Sequence, residues 1–526
     1  MIFVRLKKVR VAVSLIFLIL TALVFVDFKN YLPQAAYKYL LYMQFVPSFF
    51  KFLNIASLSA AGFIFIIILT LLFGRIYCSS ICPLGTLQDI VIYITGKLRK
   101  KRRFRFSKPQ NLLRYSLLAL TVITALGGSL VVLDLLDPYS NFGRISSNLV
   151  RPLLIHLNNF TAHTLEQFKI YSLYPFEFRI LSYIAAGFAV VFSVFVIWMS
   201  SVKGRLYCNT VCPVGTLLGI LSRYSFFRIA IDTEKCKGCG ICERKCKSEC
   251  IDNKTRSVDF SRCVSCYNCF TVCPSDGMTY KRFSAKKIPV KPAGHDDSKT
   301  DLKKRDFIIH TSAYILGLTG LANAQAKIKS YKNNSIPTGK KNPVTPPGSL
   351  GVKHFTSTCT ACHLCVSACP TQVLQPSYLE YGFLGIMQPR MDYKTSFCNF
   401  ECTVCGEVCP NGAILPLVPD KKKTTQLGKA KFVKGDCIVE TENTDCGACS
   451  EHCPTKAVNM VPYKGKHTIP EVKEEICIGC GACEFACPAK PYKAIYVEGN
   501  PVHLTAKKPE VKKIQEKVDY KEDFPF

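Results

Sequence analysis

Four stretches near the start of the chain are almost wholly apolar: Val9–Val26, Phe52–Phe73, Tyr115–Leu136 and Ile180–Val202. An apolar helix of about 20 residues crosses the hydrocarbon core of a bilayer, so each run is expected to span a membrane. Polar flanks alternate in charge. Arg5, Lys7, Lys8 and Arg10 precede the first run, eight basic residues and no acid fill Gly96–Lys108, and Lys203, Arg205, Arg223 and Arg228 follow the fourth. The segments 27–51 and 137–179 are nearly balanced. Positive loops stay in the cytoplasm, which places the N-terminus, the 74–110 loop and the chain just after 202 on that side.

After residue 202 the pattern becomes polar, broken by one mildly apolar stretch that follows Lys303-Lys304-Arg305-Asp306-Phe307 and ends at Ala324-Gln325-Ala326. A basic pair, an apolar middle and small residues at the end resemble an export signal set inside the chain. It is expected to be a fifth, outward-going helix or a cleaved signal. For the apolar part the fold expected is a membrane α-helical bundle, four helices as a duplicated pair plus the fifth. The units are a four-helix membrane domain over 1–228, a cytoplasmic domain over 229–285, a linker over 286–302, the signal-like segment over 303–326, an extended linker over 327–349, a second polar domain over 350–505 and a charged tail over 506–526.

Composition adds one decisive fact. Among 526 residues there are 29 cysteines, too many for an ordinary soluble enzyme, and their spacing separates a disulfide scaffold from a metal protein. The formal charge of +31 is read as orientation and attraction to anionic membrane lipid, not as a nucleic-acid surface.

Six motifs repeat one spacing. In 229–285 they are Cys236, Cys239, Cys242, Cys246 and Cys263, Cys266, Cys269, Cys273. In 350–505 they are Cys359, Cys362, Cys365, Cys369; Cys398, Cys402, Cys405, Cys409; Cys437, Cys446, Cys449, Cys453; and Cys477, Cys480, Cys483, Cys487. Three thiols two residues apart let a tight loop hold three irons of a cubane, and a fourth, three residues on, ligates the partner cluster. Zinc sites use paired ligands instead. Six [4Fe–4S] clusters are expected, two in a ferredoxin domain over 229–285 and four in a polyferredoxin domain over 350–505, so the fold class is a membrane α-helical bundle carrying two α+β ferredoxin-like iron–sulfur domains. Cys250 is left over and competes with Cys246, which the spacing favours.

The last four cysteines sit in two copies of another motif. GRIYCSSICPLGTL holds Cys78 and Cys82; GRLYCNTVCPVGTL holds Cys208 and Cys212. The thiols are either a redox or metal site assembled from both copies, or packing groups in a structural elbow. Asp134, Asp137, His156, His163 and Glu166 are the candidate proton acceptors on the predicted outer loop, without a motif to select among them.

The paired Cys-x3-Cys-Pro elbows followed by a two-cluster ferredoxin resemble the NapH-type quinol dehydrogenase membrane subunits and the membrane half of NosR-type regulators. The last four motifs, the long gap after Cys437 and Pro346-Pro347-Gly348 ahead of Cys359 resemble the NapG/MauM-type periplasmic polyferredoxins. The chain thus looks like a fusion of two subunits. The resemblance implies that the first outer motif pairs with the fourth and the second with the third: Cys359, Cys362 and Cys365 with Cys487; Cys477, Cys480 and Cys483 with Cys369; Cys398, Cys402 and Cys405 with Cys453; Cys437, Cys446 and Cys449 with Cys409. In the cytoplasmic domain it implies Cys236, Cys239 and Cys242 with Cys273, and Cys263, Cys266 and Cys269 with Cys246. It further implies an electron-transfer subunit in a bacterial inner membrane. Electrons would pass from the quinone pool, with quinol as substrate, or from a cytoplasmic donor, to a periplasmic redox partner protein. The alternatives are an electron donor for maturing another metalloenzyme and a metal or disulfide reductase using the elbow thiols.

Overall fold

The computed structural model describes residues 2–28, 31–55, 61–98, 104–177, 182–282 and 340–508. The linker 286–302, the signal-like segment 303–326, most of 327–349 and nearly all of the tail lie outside the described residues. The helical part runs α1 (Ile2–Val26), α2 (Gln34–Tyr42), α3 (Phe45–Ile55), α4 (Gly62–Phe73), α5 (Tyr77–Ser80), α6 (Pro83–Leu98), α7 (Asn111–Leu126), α8 (Val131–Leu136), α9 (Pro138–Ile145), a π-helical turn (Ser146–Val150), α10 (Arg151–Gln167), α11 (Tyr183–Lys203), α12 (Leu206–Thr210) and α13 (Pro213–Ser222).

Among the described residues two helices, Phe3–Val26 and Tyr183–Lys203, are long and apolar enough to cross a membrane. The third run is not one continuous helix. In the second, residues 56–60 lie outside the described residues, and α4 begins at Gly62 against the Tyr42 carbonyl, where a Cβ would lie 1.8 Å away. The third stops at Gly127-Gly128; Gly128 adopts φ +80°, which turns the chain into the short α8. Hydropathy runs register apolarity and miss such breaks. The segment 137–179, read as an outer loop, contains α9 and α10, and α9 is wholly buried.

Two elbows share one local structure. Gly74 and Gly204 end α4 and α11 at φ +78° and +65°, the left-handed cap that suits glycine. A short helix follows, then Pro83 or Pro213 opens the next helix, a position where the missing N–H costs nothing. The amides of Cys82 and Cys212 donate to Tyr77 and Tyr207 carbonyls at 3.0 Å in both copies.

Among the described residues five two-stranded antiparallel sheets carry the remainder. In the first ferredoxin unit β1 (Phe227–Ile231) pairs with the closing strand (Met278–Arg282), Phe227 opposite Arg282, around the hairpin Ile251–Asp252 and Ser257–Val258. In the C-terminal unit the longest pair joins Thr425–Phe432 to Ile495–Thr505, with a bulge between Gly499 and Leu504. Residues 340–349, expected to be flexible linker, belong to this unit. Val344, Thr345 and Ser349 are buried, and the Met391 and Gly499 amides donate to Val344 and Asn342 carbonyls at 3.0 and 3.1 Å. Pro346-Pro347-Gly348-Ser349 form a turn, closed by the Ser349 amide donating to the Pro346 carbonyl at 3.2 Å.

Helix α1 joins the parts. At its start Phe3 stacks on Phe270 of the first ferredoxin unit, centroids 4.2 Å apart. In the middle Arg10 donates to the Ser79 carbonyl at 2.9 Å. At its end Phe25 packs on Tyr139 and Phe142, beside Gly143, where a Cβ would meet the Cys362 carbonyl at 2.5 Å. Its 25 residues rise roughly 37 Å, so the two ferredoxin units dock at opposite ends of one helix.

Candidate metal centres

The ligand loops are shaped by left-handed residues. In each regular motif described by two gaps of two residues, the residue before the second cysteine and the one after it have positive φ: Gly238 and Gly240, Ser265 and Tyr267, Ala361 and His363, Gly479 and Gly481. Two such residues around one cysteine curl the loop so that three thiols face inward. For Ser265, Tyr267, Ala361 and His363 the conformation is strained. The two irregular motifs do without it: Thr403 and Gly447 have φ −117° and −128°, and the longer first gap supplies the slack.

In the first unit Cys242 lies with Cys236, Cys239 and Cys273, and Cys246 joins Cys263, Cys266 and Cys269 around one small cavity. These are the sets the resemblance implies. Cys250 is also buried and stands 3.5 Å from Cys246, sulfur to sulfur.

In the C-terminal unit the implied pairing is overturned. Cys359, Cys362 and Cys365 share a cavity with Cys409 rather than Cys487. Cys398, Cys402 and Cys405 face Cys369 rather than Cys453. Cys437, Cys446 and Cys449 share a cavity with Cys487 rather than Cys409, and Cys477, Cys480 and Cys483 gather around Cys453 rather than Cys369. The cause is which short helices pack. Leu364–Ala368 lies on Val404–Val408, and Ala448–Glu451 on Ala482–Ala486, so each fourth cysteine, at the end of its helix, reaches the neighbouring motif. The unit is two consecutive pairs.

The donor chemistry fits iron–sulfur clusters. Each set offers four thiols, the four-cysteine complement of such clusters. Burial pushes the Cys362, Cys449 and Cys480 thiols up to about 12, so without a cation they stay protonated. Backbone amides of Ala361, Ile414 and Ala457 donate to the sulfurs of Cys359, Cys409 and Cys453 at 3.4, 3.4 and 3.2 Å, which stabilises negative sulfur. Among the described residues no three His, Cys, Asp or Glu side chains close on a single ion; thiolates of a cubane each bind a different iron and need no such convergence.

The structure also brings the elbow thiols together. Cys78, Cys82, Cys208 and Cys212 are all buried and close enough to feel one another's charge. The arginines of the two motifs are exchanged. Arg75, from the first copy, donates to the Gly215 and Cys208 carbonyls of the second at 2.6 and 3.4 Å. Arg205, from the second, donates to the Cys78 carbonyl of the first at 2.6 Å. Asp89 binds Arg205 at 2.8 Å, Arg10 at 3.3 Å, and Lys247 of the ferredoxin unit. Burial alone would raise the Asp89 carboxyl; Arg205 and Lys247 override that and hold it well below the usual carboxylate range. Asp89 and Lys247 lie in no motif, so sequence reasoning misses them. Both arginines stand inside the repeats, and their repetition is a usable signal that the motif reading leaves without a role.

At the far end of α1 a polar seam joins α8, α9 and the π-turn to the loop around Cys362. Asn148 meets His363 Nδ1 at 3.0 Å, and His363 Nε2 donates to the Met387 carbonyl at 2.8 Å. Ser367 donates to Ser147 at 2.7 Å. Asp134 and Asp137 are buried here; Gln388 reaches Asp134 at 3.4 Å, and Asp137 caps α9 through the Ser140 amide at 2.7 Å. His156 is exposed, and His163 and Glu166 form an exposed ion pair at 3.5 Å; none of the three reaches the seam.

Two family models match the chain. A family described as "4Fe-4S binding domain" matches residues 56–105 and 185–233, and one described as "4Fe-4S dicluster domain" matches 358–413 and 444–490. The dicluster matches enclose the first two and the last two outer motifs, apart from Cys437. The chain is 27% identical over 223 residues to an uncharacterised protein of Methanocaldococcus jannaschii, covering 41% of this chain and 69% of that one. It is 28% identical over 138 residues to the ferredoxin-type protein NapF of Escherichia coli, 26% of this chain and 76% of NapF. It is 31% identical over 152 residues to the methylamine utilization ferredoxin-type protein MauM of Methylobacillus flagellatus, 28% of this chain and 64% of MauM. No solved structure matches. The chain is thus an iron–sulfur electron-transfer protein built on ferredoxin-type 4Fe–4S domains and homologous, at low identity, to NapF- and MauM-type proteins.

Proposed function

We propose that this protein is a membrane-bound electron relay with six [4Fe–4S] clusters in its ferredoxin units, fusing a NapH-like membrane part to a NapG/MauM-like polyferredoxin. Electrons leave quinol, or a cytoplasmic donor, and pass through the outer clusters to a periplasmic oxidoreductase. One observation carries this reading: two thiol-rich units dock at opposite ends of an apolar 25-residue helix. A belt of exposed apolar side chains supports the bilayer placement. Ile16, Ile19 and Leu23 of α1, Ile64 and Ile68 of α4, and Val191, Val194 and Trp198 of α11 all face outward, more apolar surface than a soluble protein leaves uncovered.

Two measurements test the proposal. Protease or reporter access should find residues 350–508 outside the cytoplasmic membrane and 229–282 inside; both on one side would refute the transmembrane relay. Anaerobic addition of a quinol analogue to the purified full chain should reduce its clusters. No reduction by any quinol of matched potential would remove quinol as donor.

A further inference from the structure

We infer that Cys78, Cys82, Cys208 and Cys212 together hold one further iron–sulfur cluster, a seventh redox centre placed between the two ferredoxin units. The inference rests on the relay reading above and adds a site to it.

Each match to the 4Fe–4S binding family contains a single elbow, hence two thiols, half of a four-thiolate ligand set. The fold supplies the other half. The two motif copies meet, all four thiols are buried together, and each copy's arginine grips the other copy's backbone. Close packing leaves no slack between them: a Cβ at Gly85 or Gly215 would lie 2.3 or 2.2 Å from the Cys78 or Cys208 carbonyl. A merely structural elbow needs proline and glycine; it has no use for four thiols buried together.

Charge makes the second, independent argument. Arg10, Arg75, Arg205 and Lys247 are buried around the elbows, with Asp89 as the carboxylate that pairs with three of them. Arg75 itself binds four carbonyls and the Asn209 side-chain oxygen. Burying cations without matching anions is costly. Four thiolates around an iron–sulfur core carry net negative charge and supply the missing balance.

Position makes the third. Through one guanidinium, Arg75 links the Cys208 carbonyl to the carbonyl of Cys263, a ligand residue of the first ferredoxin unit, at 3.4 Å each. On the opposite side the Tyr207 hydroxyl donates to the Leu136 carbonyl at 2.7 Å, next to α9, whose Gly143 abuts the Cys362 carbonyl. The elbows therefore touch the first unit directly and reach the Cys362 loop through α9, so a centre here divides the electron path between the two units into two steps. One electron enters from one neighbouring cluster as one leaves to the other; no bond or proton is exchanged.

The test uses the full chain, purified anaerobically in detergent. Iron should exceed the roughly 24 atoms of six cubanes by two to four per chain (a two-iron or a four-iron core), and the four elbow thiols should resist iodoacetamide under native conditions. Cys78→Ser/Cys208→Ser should lose only that increment. Its ferredoxin EPR signals should persist while reduction of the outer clusters by dithionite, offered to the cytoplasmic face of sealed vesicles, slows at least tenfold. Elbow thiols that alkylate freely in a protein retaining all six ferredoxin clusters, or that form a disulfide, would overturn the inference. The iron content of the unmodified chain needs no variant, and a value of no more than about 24 atoms would overturn the inference even if the double mutant does not fold. Failure of quinol to reduce the clusters would instead strike the relay reading alone.

Discussion

Cys246 and Cys250 show what a spacing rule leaves open. Their sulfurs lie 3.5 Å apart at the edge of the same cavity, and both are buried. Cys250 is therefore placed to replace Cys246 as a ligand, and the following outcomes are expected. Cys250→Ser should leave the cluster intact, and Cys246→Ser should retain most of its iron by ligand exchange. The double variant should lose about four irons per chain; iron analysis with EPR of the reduced protein checks all three. Backbone conformation was less legible than ligand identity. His363 and Gly481 occupy the same loop position, both left-handed, yet only the glycine is obligatory. A Cβ on Gly481 would stand 2.0 Å from the Tyr393 ring, whereas His363 is turned toward Asn148. Gly481→Ala is accordingly expected to cost the Cys477 cluster, seen as loss of roughly four irons, while His363→Ala keeps its cluster.

Among the elements, the elbows and apolar helices were visible as repeated letters and hydropathy, and their junctions were not. Gly127 and Gly128 break a run that reads as continuous, and a hydropathy window misses the break because it averages over a single turn. Nor could the letters show that α6 is pinned to the ferredoxin unit by Asp89, whose partners are 79, 116 and 158 residues away. Asp89→Asn strands three buried cations and should cost about 3–5 kcal/mol, read as a lower midpoint for release of the 229–282 unit by protease. The pH dependence follows from the direction of the shift. A carboxyl held below its ordinary value of 3.8 contributes stability that is complete above that value and is lost only as pH falls through the lower, folded value. The wild-type midpoint should therefore be insensitive to this group through neutral and mildly acidic pH and decline only below about 4; a loss beginning near pH 6 would assign the coupling to another group.

Over the whole molecule, the expected ligand motifs could be read from the chain and their pairing could not. Twenty-four thiols stand out because a loop that wraps three irons imposes a local spacing, and the structure gathers them in fours. The fourth ligand crosses to another motif, and four similar motifs allow several crossings. The structure resolves this by packing neighbouring helices, Leu364–Ala368 on Val404–Val408 and Ala448–Glu451 on Ala482–Ala486, giving two consecutive pairs in place of a nested arrangement. The two schemes differ at one cysteine in a measurable way. If pairs are consecutive, Cys487→Ser removes a ligand from the Cys437, Cys446 and Cys449 set and leaves the Cys359, Cys362 and Cys365 set complete with Cys409. Because the latter set abuts Gly143 beside Phe25 at the end of α1, the proposed relay makes it the entry point for electrons arriving along the helical part. Cys487→Ser should therefore damage a distal cluster and still accept electrons from the cytoplasmic side, whereas Cys409→Ser should damage the entry cluster and block reduction of all those beyond it. Freeze-quenched EPR of the two variants after reduction from the cytoplasmic face separates the schemes. A nested arrangement would reverse the outcomes, with Cys487→Ser closing the entry.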